Sequence, residues 1–98
     1  VADAPLPLLF IEGGWPSDAA STPVISTPEM QRRYLKRQAL ILERAGAVAW
    51  FQISFTDLDS AAWGASTGLF ARIGLVDEAL VPKPALADWD ELLRRRLR

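Results

Sequence analysis

The chain reads as an α/β protein of order strand–helix–strand–helix, and three features of the sequence predict it. Two short apolar runs, Leu6–Ile11 and Ala47–Phe55, are nearly uninterrupted, as in strands buried on both faces of a parallel sheet. A long amphipathic segment with its own start and stop signals lies between them. A second helical segment, opened by Pro84, follows the second run. A helix between two strands calls for a right-handed crossover and parallel pairing.

The first strand is expected over about residues 6–12, with Pro7 near its start, where a missing N–H costs least. It runs into Glu12-Gly13-Gly14, and residues 13–27, rich in Gly, Pro, Ser, Thr and Asp, read as a loop. The first helix is expected over about 27–45. Ser26-Thr27-Pro28-Glu29 offers a capping hydroxyl, a proline suited to the first turn and a Glu three residues after Ser26. Met30, Tyr34, Ile41 and Ala45, with Leu35, Ala39 and Leu42 beside them, form a broad apolar face. Gln31, Arg32, Arg33, Lys36, Arg37 and Glu43 fall largely outside it, and Gly46 suits a C-terminal cap.

The second strand is expected over about 47–55, ending at Thr56-Asp57-Leu58-Asp59. A long loop over 56–83 follows, and loops of this length tend to be functional or to hold short helical pieces. Gly68 through Asp77 is expected to include a tight turn. The last helix, about 84–97, carries Leu86, Trp89, Leu92, Leu93 and Leu97 toward a core. Two parallel strands make a poor independent sheet, because parallel sheets need cover on both faces and paired edges. The domain, residues 1–98, is therefore expected to be part of a layer completed by further chain or by copies of itself.

Composition narrows the chemistry. The 98 residues carry a formal net charge of −1, with half of them hydrophobic, so the chain reads as globular, and the charge gives no general argument for nucleic acid or an anionic membrane as partner. The arginines 94, 95, 96 and 98 are read as cations complementing a helix C-terminus rather than as a phosphate site. There is no cysteine and no histidine, which removes thiolate nucleophiles, zinc-thiolate sites, histidine ligands and Ser-His pairs. Acid–base work falls to carboxylates, Lys36, Lys83 or Tyr34. No cofactor and no metal are expected. No apolar stretch nears the roughly 20 residues that span a bilayer. Asp3 and two early prolines do not fit a signal peptide, and the compartment stays open.

Strand-to-helix loops gather at the C-terminal ends of parallel strands, where such folds bind their ligands. Glu12 and the Asp57/Asp59 pair both fall at such ends. Glu12 has backbone room from Gly13-Gly14 and a flat apolar neighbour in Trp15. The bland alternative, a solvated strand-end residue, is the weaker reading.

The run Phe10-Ile11-Glu12-Gly13-Gly14-Trp15-Pro16 resembles the seventh-strand motif of retaining (β/α)8-barrel glycoside hydrolases, the clan of cellulase- and galactanase-like enzymes. Trp50-Phe51 and Phe55-Thr56-Asp57 are similar to the aromatic eighth strand of that clan. Gly74-Leu75-Val76-Asp77 followed by Lys83-Pro84-Ala85 resembles its lead into the final helix. The likeness runs from about Leu8 to Leu93, each motif being moderately specific and their order more so. It implies that Glu12 is the catalytic nucleophile and that the ligand is an oligosaccharide or polysaccharide. The family's acid/base Glu, at the end of strand four, has no counterpart here. A whole barrel takes about 250 residues, so the chain would be its C-terminal part and inactive alone. Trp15, Trp50, Asp57 and Trp63 are the candidate substrate-binding residues, although Trp50, placed mid-strand, also reads as packing. The alternatives are a partial barrel that self-assembles as a homo-oligomer, and a non-catalytic carbohydrate-binding or interaction module.

Overall fold

A computed structural model describes residues 6–18, 25–63, 68 and 70–95. The elements run β1 (Leu9–Gly13), α1 (Pro28–Arg44), β2 (Ala49–Gln52), α2 (Ser60–Trp63) and α3 (Pro84–Leu93). β1 and β2 pair in parallel as a two-stranded sheet, with the long helix α1 between them in sequence. The strand–helix–strand–helix order is thus present, with a short extra helix, α2, among the described residues of the long loop.

α1 starts where its signals place it, with one change of role. Thr27, not Ser26, is the N-cap and accepts a hydrogen bond from the Met30 N–H at 3.2 Å, with Pro28 in the first turn. At the other end Gly46 takes a φ of +70°, and the Gly46 and Ala47 N–H groups close back on Glu43 and Leu42. The buried stripe of α1 is Gln31, Leu35, Ala39 and Leu42. Met30, Ile41 and Ala45, expected on the apolar face, are exposed, and Gln31, expected outside it, is 1% exposed. Gln31 reaches off the helix to hold loop backbone: its amide donates to the carbonyls of Trp15 at 3.0 Å and Gly74 at 2.9 Å. These donor bonds offset part of the cost of burying the amide, whose Oε1 has no partner among the described residues.

Leu35, Leu75 and Ala85 form the buried centre, with Trp50, Leu86, Trp89 and Leu92 packed around it. Trp50 and Trp89 meet edge-on at 4.9 Å. Of the residues expected to bring α3 to the core, Leu93 is instead exposed, and Leu97 lies outside the described residues. α3 ends at Leu93 with Arg94 as its C-cap, short of the expected residue 97.

α1 and α3 are joined by an ion pair absent from the sequence reading. Asp88, buried on α3, accepts from Arg32 through both carboxylate oxygens, at 2.8 and 3.3 Å, and Lys36 lies at 3.7 Å. The Arg32 hydrogen bonds hold the Asp88 carboxyl below its ordinary range, with Lys36 adding to the effect. A carboxyl whose folded pKa is depressed adds stability above its unfolded value, near 3.9, which is lost as pH falls through the folded one. Asp88→Asn is therefore expected to lower the urea midpoint at pH 7. It should also weaken its fall with acidification below about pH 4, checked by unfolding curves at pH 7 and pH 3.

β2 ends at Gln52, short of the expected residue 55. The continuation finds another partner: Phe55 carbonyl accepts from the N–H groups of Leu75 and Val76, and the Asp57 N–H donates to Val76 carbonyl. Thr56 and Val76 form an isolated parallel bridge, and Val76 bridges Pro82 on its other side. The long loop turns at 68 and 70–72, within the span expected to hold a turn, and again over 77–81, where the Asp77 carboxylate accepts from the Ala79 and Val81 N–H groups.

Candidate functional site

β1 carries an irregularity that decides where Glu12 lies. Phe10 is opposite Trp50 and Gly13 is opposite Gln52, so three steps along β1 match two along β2. One extra residue in one strand is a β-bulge, which interrupts the strict alternation of faces. Gly13 returns to the face of Phe10 and Trp50, the helix side: a Cβ there would lie 2.6 Å from Trp50 Nε1 and 2.9 Å from the Phe10 ring. Strict alternation would have put Glu12 on that covered face with Phe10. Instead Ile11 and Glu12 are both exposed. The sheet face away from the helices is apolar and uncovered among the described residues, with Ile11 64% and Phe51 56% exposed.

Glu12 lines a cleft of about 260 Å³ with Gly14, Trp15, Ile53, Phe70 and Ile73 among its walls. A Cβ on Gly14 would meet Ile73 at 3.2 Å and Ile53 at 3.3 Å, so the bare glycine keeps the floor open beside the carboxylate.

Trp15 is held rather than free. Its indole N–H donates to Ser26 Oγ at 3.1 Å, and Ser26 Oγ donates in turn to Pro16 carbonyl at 2.6 Å. Its ring stacks on Tyr34 at 5.6 Å, and the Tyr34 hydroxyl oxygen accepts from the Gly14 N–H at 3.2 Å. Burial pushes the Tyr34 phenol above its ordinary pKa, with the Gly14 N–H pulling the other way. Trp15 lines both the Glu12 cleft and a second groove with Met30, Arg33 and Arg37.

The remaining candidates lie apart from Glu12. Trp50 packs on the helix side against Trp89, and its buried indole N–H has no acceptor among the described residues. Asp57 is at the same end of the sheet, yet its side chain is 3% exposed. Its carboxylate is occupied by the Lys83 ammonium, the Gly74 N–H at 3.0 Å and Arg72 at 3.8 Å. Lys83 also donates to Ser17 Oγ at 2.9 Å, and the Ser17 N–H donates to Arg72 carbonyl. Asp57 therefore knots the two strand-end loops and the return segment together instead of facing a ligand. A serine beside a lysine resembles a nucleophile–base pair, but this lysine is committed to a carboxylate. Asp59 is exposed and accepts from the Ala61 N–H at 2.9 Å, at the start of α2. Trp63 closes α2, and its side chain lies outside the described residues.

Among the described residues no cluster of three metal-ligating side chains occurs, and no helix is long and apolar enough to cross a membrane. No protein-family profile, curated protein or solved structure matches the chain. Glu12 and Trp15 are thus brought together, Trp50 and Asp57 are drawn into packing, and Phe70 joins the cleft without having been expected there.

Proposed function

We propose that the chain is the C-terminal portion of a retaining (β/α)8-barrel glycoside hydrolase, comprising its seventh and eighth strands, with Glu12 as the nucleophile. The bulge carries this reading, because it turns a strand-end carboxylate off the helix-covered face and into a cleft. The apolar face of β1 and β2 supports it as well, since a parallel sheet is normally covered on both sides. In a barrel that face would be lined by the other strands. The motif order from Phe10 to Ala85 agrees.

Retaining hydrolysis needs a second carboxyl about 5–5.5 Å away to protonate the leaving oxygen. Asp57 is a poor candidate, its oxygens being engaged by Lys83, Arg72 and Gly74. The proton donor is then supplied from outside these residues. The chain alone is expected to leave aryl β-glycosides with poor leaving groups uncleaved. Steady turnover of them, unchanged in Glu12→Gln, would contradict both the missing donor and the role of Glu12. A carbohydrate-binding module would share the cleft but form no covalent intermediate on Glu12.

A further inference from the structure

We propose that Phe70 is the aromatic platform of the Glu12 cleft, docking the apolar face of an uncharged pyranose ring. The inference rests on the glycosidase reading for the class of ligand and goes beyond it in naming the residue and the charge preference.

Phe70 stands out within its own segment. Ala71, Ile73, Leu75 and Val76 are all buried, whereas Phe70 is 44% exposed and lines the cleft with Glu12. A large aromatic left open at a cleft wall beside one carboxylate is the composition of a small-ligand site: mostly apolar walls with few polar groups. The segment is also anchored. Ala71 carbonyl accepts from the Leu58 N–H at 3.0 Å, and Arg72 carbonyl accepts from the Ser17 N–H at 2.9 Å and from Lys83 at 3.3 Å. Those bonds fix the chain immediately after Phe70, so the ring is presented with little ordering left for a ligand to impose.

Trp15 and Trp50 are less suited to the task. Trp15 is tied to Ser26 and stacked on Tyr34, and Trp50 is packed on Trp89 behind the sheet. Flat rings with an apolar face and hydroxyl edges match such a wall, with Glu12 the acceptor for hydroxyls. Among the described residues Glu12 is the one charged side chain lining the cleft. An anionic sugar would set its carboxylate against that of Glu12 with no cation in the wall among the described residues, so neutral sugars are favoured. At about 260 Å³ the cleft falls just under the usual range for ligand pockets, about 300–1,000 Å³, and suits one ring.

The test is ligand-observed NMR titration of the intact chain with the methyl β-glycosides of glucose, galactose and mannose, and with methyl β-glucuronide. At least one neutral glycoside should bind and the glucuronide should bind more weakly. Phe70→Leu, which keeps apolar bulk and loses the ring, should weaken binding about tenfold, while Phe70→Trp should retain it. Far-UV circular dichroism confirms that each variant is folded. Equal affinity of wild type and Phe70→Leu overturns the platform and leaves the glycosidase reading standing. Equal or tighter binding of the glucuronide overturns the charge preference. Binding of no neutral glycoside overturns the proposal, and covalent labelling of Glu12 in the same preparation reports separately on the nucleophile.

Discussion

Gly74→Ala should unfold the return segment and with it most of the fold. A Cβ at this position overlaps the Thr56 carbonyl carbon and the Asp57 nitrogen and lies 2.8 Å from Thr56 Cα. All three are backbone atoms of the chain leaving β2, so no flexible side chain can yield. Moving the segment breaks what surrounds it: the Gly74 N–H donates to Asp57 and the Gly74 carbonyl accepts from Gln31. Leu75, next in sequence, is part of the buried centre. Overpacking a core costs about 1–3 kcal/mol when side chains can shift, and a backbone collision should exceed that range. Urea unfolding followed by tryptophan fluorescence measures it. A loss under about 1 kcal/mol would show that the two segments are not in contact.

Asp57→Ala should be the next most damaging change. Asp57 and Lys83 side chains are 3% and 11% exposed, so both charges sit almost outside water. Removing the carboxylate leaves the ammonium with Ser17 and a carbonyl for company, and leaves the Gly74 N–H without its acceptor. Breaking a buried pair from one side costs about 3–5 kcal/mol, a large share of the roughly 5–15 kcal/mol that stabilises a typical domain. Adding Lys83→Met should restore part of the loss, because the stranded charge is then gone. If the double variant is no more stable than Asp57→Ala, the pair is not what holds these loops.

Both of these residues show why the fold was only partly legible in the sequence. The order of elements was readable because its signals are local: the apolar run before Glu12, the Thr27-Pro28 start and Gly46 stop of α1, and Pro84 at the head of α3. The end of β2 was not, because Phe55 to Asp57 has strand composition but pairs with Leu75 and Val76, about twenty residues on. Gln31 looked like a solvent-facing residue by type. Its burial depends on carbonyls supplied by Trp15 and Gly74, which no helical periodicity reveals.

At the site, the strand-end position of Glu12 was readable, and its exposure on the uncovered side was not. Alternation along β1 would have assigned it the face of Phe10, and only the register against Trp50 and Gln52 exposes the extra residue. Asp57 looked like a second rim carboxylate because its partners, Arg72 and Lys83, are distant in sequence. Phe70 carried one weak signal, an aromatic residue just after Gly68 in a long loop, and its place beside Glu12 is a tertiary fact.

The role of Glu12 is tested most directly by covalent trapping. A 2-deoxy-2-fluoro β-glycoside with a dinitrophenolate leaving group needs no proton donor to lose that group, so a nucleophile without its acid partner can still react. The Glu12 carboxylate oxygen forms the bond to the anomeric carbon as the bond to the phenolate oxygen breaks, and dinitrophenolate departs with the electron pair. Intact-mass spectrometry should then show the chain gaining one fluoroglycosyl group, mapped by peptide sequencing to Glu12 and absent in Glu12→Gln. A chain left unlabelled, or labelled equally in Glu12→Gln, would contradict the assignment of Glu12 as the nucleophile.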